Sequence, residues 1–89
     1  MELLPIGSVV LTDVINKRCL IYGRCQQNND TGEKYDYVAC PYPEGITDSR
    51  KVILFNHSSI KLVFSIGYQN AAELKLREKL METRGAENG

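Results

Sequence analysis

Pro41 and Pro43 constrain this chain more than any other pair of residues. They follow Tyr35-Asp36-Tyr37-Val38-Ala39-Cys40, a run of aromatic, β-branched and small residues that reads as a strand. Proline has no backbone N–H to give to a ladder, so pairing on one side of that strand must stop near Cys40. The continuation Pro41-Tyr42-Pro43-Glu44-Gly45 is a turn. The residues before it read as strands of one small sheet, and those after it as a further strand pair and a helix.

Residues 8–12, Ser-Val-Val-Leu-Thr, make a short strand that is apolar on both faces and therefore expected to be covered on both. Residues 18–26 make the next, and Gly23 inside it marks a bulge or a close approach of another group. Residues 27–34 are polar throughout and hold Asn-Asn-Asp-Thr-Gly, the signature of an exposed hairpin loop. Beyond Gly45, residues 51–55 form a fourth strand. Asn56-His57-Ser58-Ser59 then interrupts as a single helical or 3₁₀ turn, and residues 60–66 form a fifth strand.

The period changes at Asn70. Asn70-Ala71-Ala72-Glu73 fits an N-cap with an acid three residues on, and Ala72, Leu76 and Leu80 repeat at helical spacing. Glu73 and Arg77 are placed for an i,i+4 ion pair. The stripe of Ala72, Leu76 and Leu80 is expected to cover the open end of the barrel, the alternative being a free helix that docks on a partner, with Leu74 and Met81 on its shoulder. The expected fold is mainly β (α+β): a small, bent antiparallel sheet of about five strands resembling an SH3-like barrel, with a C-terminal α-helix. One domain is expected over residues 1–84, with strands within about 6–66, a helix over about 70–84 and a disordered tail at 85–89.

Lysine plus arginine and aspartate plus glutamate both number 11, so no excess charge draws the chain to phosphate backbones or anionic lipid. No apolar run approaches the ~18 residues of a membrane span, and a cytoplasmic protein is expected. Cys19, Cys25 and Cys40 are odd in number, which fits thiols in a reducing compartment better than a disulfide scaffold.

The residues offer no reaction. His57 lies in a polar turn without a nucleophile and an orienting carboxylate that the sequence can identify, and its bland role is to satisfy the turn. Cys19 and Cys25 lack the close Cys-x-x-Cys pairs of zinc sites, and no phosphate-binding glycine loop occurs. A non-enzyme without metal or cofactor is expected. Tyrosines are the more informative feature, because each ring buries a large surface and keeps a polar tip. They suit the rim of a small barrel as well as an interface. The candidate partner-binding residues are Tyr35, Tyr37, Tyr42, Glu44, Tyr68, Leu74 and Met81, with residues 35–45 foremost.

Leu3-Leu4-Pro5-Ile6-Gly7-Ser8-Val9-Val10, Gly23-Arg24, Asp36-Tyr37-Val38 with Cys40, Tyr42-Pro43-Glu44-Gly45, Phe55-Asn56-His57 with Ile60, Val63-Phe64 and Gly67-Tyr68 can be taken together. In that order and spacing they resemble the domain of unknown function 4176 family, small proteins of Gram-positive bacteria encoded beside LXG-type toxins of the type VII secretion system. The resemblance runs from about Leu3 to Tyr68. It implies a non-enzymatic accessory or targeting chaperone whose protein partner is an LXG toxin or that toxin's small helical partners. Ser58-Ser59, Lys61 and Ser65-Ile66 depart from it, being less acidic than the family pattern there. A nucleic-acid-binding small barrel, with tyrosines stacking bases, and an immunity protein for the neighbouring toxin are the alternatives.

Overall fold

In the computed structural model, which describes residues 2–88 and their side chains as far as Arg84, one open antiparallel sheet is joined to a single C-terminal helix. The strands are β1 (Val9–Thr12), β2 (Arg18–Gln27), β3 (Lys34–Pro41), β4 (Ile53–Phe55) and β5 (Ile60–Ser65), and the helix is α1 (Ala71–Asn88). A 3₁₀ turn, His57–Ser59, leads from β4 into β5. Strand order is β4-β3-β2-β1-β5, every neighbouring pair being antiparallel.

The sheet does not close into a barrel, because β4 and β5 lie at opposite edges. β4 has only three residues, and the chain leaves it through a turn that is tied back to β3. β3 itself is an interior strand, between β2 and β4. It pairs with β2 as far as Pro41 and with β4 only as far as Ala39, so the expected stop beside Cys40 falls on the β4 side alone.

Local chemistry accounts for the hairpins. In the β2–β3 loop the Asn28 side chain accepts the N–H groups of Asp30 (2.9 Å) and Thr31 (3.3 Å), and Gly32 takes the left-handed conformation that closes the turn. Between Ile21 and Gly23 the β2–β3 register slips, which is the expected bulge. A Cβ on Gly23 would sit 2.5 Å from Val38 Cγ1, so the strand needs glycine where Val38 crosses it.

The core lies on one face of the sheet. Val10, Cys19, Ile21, Tyr37, Ala39 and Phe55 point into it, and Leu3 from the N-terminal segment completes it. Full cover on both faces is not realised for β1: Val10 and Thr12 are buried, while Val9 and Leu11 are half-buried.

The helix docks through a face that shares only Leu80 with the expected apolar stripe. Asn70 caps it as expected, accepting the N–H of Glu73 at 3.0 Å. Ala72 and Leu76 are exposed, whereas Glu73, Arg77, Leu80, Met81 and Arg84 are half-buried and share one side at helical spacing. Leu80 and Met81 pack on the core, so Met81 is part of the helix seat and not a shoulder residue. The cause is two buried charges on the sheet, Arg24 and Asp36. A buried charge without a counter-ion costs several kcal/mol, whereas burying a leucine gains ~1.5–3 kcal/mol. The helix therefore turns Glu73 toward Arg24 and Arg84 toward Asp36 and leaves Leu76 in water. Its backbone continues to Asn88, past the expected end at Arg84. Residues 85–88, expected as a disordered tail, are helical in backbone; the side chains from residue 85 on, and Gly89 altogether, lie outside the described residues.

Candidate partner-binding surface

The motif residues are largely spent on holding the fold together. Asp36 N–H donates to Asn56 Oδ1 (3.0 Å) and the Asp36 carboxylate accepts the N–H of His57 (2.8 Å), a reciprocal clasp between β3 and the turn after β4. Beside it, Tyr37 Oη accepts the N–H of Leu4 (3.0 Å) and lies 2.6 Å from His57 Nδ1. With its own proton in place, Tyr37 donates to Nδ1, which makes His57 a neutral ring protonated at Nε2. Burial holds the His57 pKa below its ordinary value despite the opposing pull of Asp36. Burial also raises the Tyr37 pKa, against the N–H of Leu4. His57 is thus committed to the fold, but through Tyr37 on β3 and not, as expected, through the backbone of its own turn.

Gly67 makes a similar tie. Its N–H donates to Ser8 Oγ (3.0 Å), and Ser8 Oγ donates to the Pro5 carbonyl (2.8 Å), so the segment entering β1 is pinned to the segment leaving β5. Under α1, Arg24 Nη1 donates to Glu73 Oε2 (3.1 Å) and to the Leu4 carbonyl (3.4 Å), and Arg77 donates to the same Oε2 through the expected i,i+4 pair. Burial alone would raise the Glu73 pKa, but the hydrogen bonds and charges of Arg24 and Arg77 outweigh it and the net direction is down.

The seven candidate residues are scattered by this architecture. Tyr37 is wholly buried and has no surface to offer a partner; its alternation in β3 points it at the core, and it stacks on Phe55 at 5.4 Å. Tyr35 is half-buried, with Oη donating to Glu33 (2.6 Å), and lines a cleft of about 450 Å³ with Cys25, Asn56 and Arg84. Tyr42 is exposed on the turn after β3, where Glu44 is ion-paired with Lys17. Leu74 is exposed on α1, and Tyr68, at 81% exposure, stands on the segment after β5. These residues do not form one site.

The concentrated apolar surface is one the tyrosine argument passed over. Leu62, Val63, Phe64, Ile66 and Tyr68 are all large and exposed along β5 and its continuation, and Ile6, whose carbonyl lies against Gly67, is exposed beside them. Single exposed apolar residues are ordinary; six along one edge strand and its flank make this the candidate interaction surface. Of the sequence candidates only Tyr68 belongs to it. Residues 60–66 read in the sequence as a strand fit for burial, and only the strand order shows that they are an edge.

The family described as Domain of unknown function (DUF4176) matches residues 3–76. The chain belongs to the DUF4176 family. No curated protein and no solved structure matches it. The DUF4176 match spans all five strands and the Glu73 end of α1, so it takes in both the clasp residues and the β5 surface. Among the described residues no helix is long and apolar enough to cross a membrane.

Proposed function

We propose that this protein is a non-enzymatic protein-interaction module, an accessory or targeting chaperone that holds an LXG-type toxin of the type VII secretion system, or that toxin's small helical partners, in the cytoplasm before export. The observation that carries the reading is the apolar surface along β5, from Leu62 to Tyr68, which the chain's own helix leaves uncovered. Membership of DUF4176 supports it, and so does the engagement of the lone histidine in a clasp that ties β4 to β3. Neutral net charge favours a protein partner over nucleic acid.

Co-expression with an LXG toxin of the source cell tests the reading. A complex that survives purification, together with loss of toxin export when this protein is deleted, is the expected result. A toxin that is soluble and exported normally without it overturns the proposal. Protection of toxin-expressing cells with export unchanged would put the immunity reading in its place.

A further inference from the structure

β5 is the strand whose apolar side chains are exposed on both faces of the sheet. Val63 pairs with Val10, whose side chain is in the core, and Leu62 pairs with Leu11 on the opposite face. Arg18 pairs with that same Leu11 and lies over the Phe64 ring at 4.4 Å, which places Phe64 with Leu62. One edge of β5 is bonded to β1, and among the described residues no strand pairs with the other. A helix laid across Leu62 and Phe64 would leave Val63 in water. A strand added at the open edge would cover both faces at once and satisfy the outward backbone groups.

Charge says what that strand should carry. Lys61 is on β5 itself and the guanidinium of Arg18, which starts β2, reaches over Phe64; neither pairs with a carboxylate among the described residues. The sequence holds no aspartate or glutamate from Ser49 through Ala72. A second β5 from another copy would bring a further lysine and no carboxylate, leaving the cations uncompensated. A segment that alternates apolar and acidic residues puts its carboxylates on the face of Arg18 and its apolar side chains on the face of Val63.

We propose that the open edge of β5 takes an extended, acidic segment of a partner protein as a sixth strand, its apolar residues on the face of Val63 and its carboxylates on the face of Leu62, Phe64 and Arg18, with Lys61 beside them on β5. This rests on the interaction-module reading and adds the place and the chemistry of recognition.

Two blocked eight-residue peptides, alternating valine with glutamate and valine with lysine, are the probes. Titrated into the full chain at low salt and followed by amide NMR shifts, the glutamate peptide should perturb residues 60–66 and bind about tenfold tighter than the lysine peptide, the factor that ~1.4 kcal/mol of charge interaction gives. The double variant Arg18→Glu, Lys61→Glu alters two exposed side chains, and its preference should reverse. Absence of binding by either peptide, equal binding of both, or shifts centred outside β5 overturns the proposal. So do shifts of the β5 amides with protein concentration alone, which would make a second copy the occupant. Toxin co-purification is read separately. A chain that takes the acidic peptide but no toxin loses only the secretion role, and one that holds the toxin with its β5 amides unshifted loses only the edge.

Discussion

Arg24 in β2 and Glu73 in the first turn of α1 meet across the seam between sheet and helix, Nη1 to Oε2 at 3.1 Å, with both side chains nearly excluded from water. The pair fixes the rotation of α1, since a helix turned by one residue, ~100°, would present Ala72 or Leu74 to the guanidinium instead.

Removing the carboxylate should therefore cost more than removing an exposed acid on the same helix. Glu73→Gln leaves Arg24 buried without its counter-ion, and we expect a loss of ~3 kcal/mol in urea unfolding, against less than ~0.5 kcal/mol for Glu78→Gln. The pH dependence follows from the lowered Glu73 pKa. Its contribution is complete above the ordinary value of 4.5 and is lost as pH falls through the lower folded value. Equal losses in the two variants would show that the pair does not hold the helix.

His57 should add a second, milder pH dependence. Its folded pKa lies below the ordinary 6.5, so the unfolded chain takes up the proton first as pH falls. Stability contributed by the neutral ring is complete above about 6.5 and declines as pH drops toward the folded value. In His57→Asn, Oδ1 stands near the Nδ1 position and can still accept from Tyr37, but nothing titrates there. Melting temperatures from pH 8 to 5 should fall for the parent and stay level for the variant; parallel curves would mean that the ring is not held neutral.

What the sequence made legible was local. Each strand was recognisable from its own β-branched or aromatic run, the Gly23 bulge from a glycine inside such a run, and the start of α1 from Asn70. Burial of charge was not legible, because Arg24 and Asp36 look like ordinary surface residues. They are buried only because partners 49 and 48 residues away, Glu73 and Arg84, come back to them. Of the stripe of Ala72, Leu76 and Leu80, only Leu80 reaches the core; Ala72 and Leu76 lost to those charges. Tyr37 and Tyr42 likewise differ in place and not in type: one faces the core of β3, the other sits past its last paired residue. The exposed apolar surface along β5 was missed for a related reason. Nothing local distinguishes an apolar edge strand such as β5 from an interior one.

Gly67 offers a sharper test of the tie between the ends of the sheet. A Cβ there would lie 2.0 Å from the Ile6 carbonyl oxygen, and backbone cannot rotate away as a side chain does. Gly67→Ala should cost ~3 kcal/mol, the upper part of the range for forcing atoms into filled space. Gly32→Ala meets no atom within 4 Å and carries only the strain of its positive φ, ~1–2 kcal/mol. If the two melted alike, the packing of Ile6 against Gly67 would not be the constraint it is taken to be.

Tyr37 and Tyr68 should separate fold from recognition. Tyr37→Phe keeps the ring against Phe55 but leaves the Leu4 N–H and His57 Nδ1 without their shared partner, so a loss of ~1–3 kcal/mol is expected. The surface along β5 is untouched by that change, and partner affinity should be retained at temperatures well below unfolding. Tyr68→Ala does the reverse. The ring is 81% exposed, so stability should move by less than ~0.5 kcal/mol, while partner binding weakens if the ring acts as an interface anchor. Urea unfolding and toxin capture measured on the same two variants check both halves. A Tyr37→Phe chain that folds well but fails to bind would relocate recognition to the side of the sheet that Leu4 and His57 close.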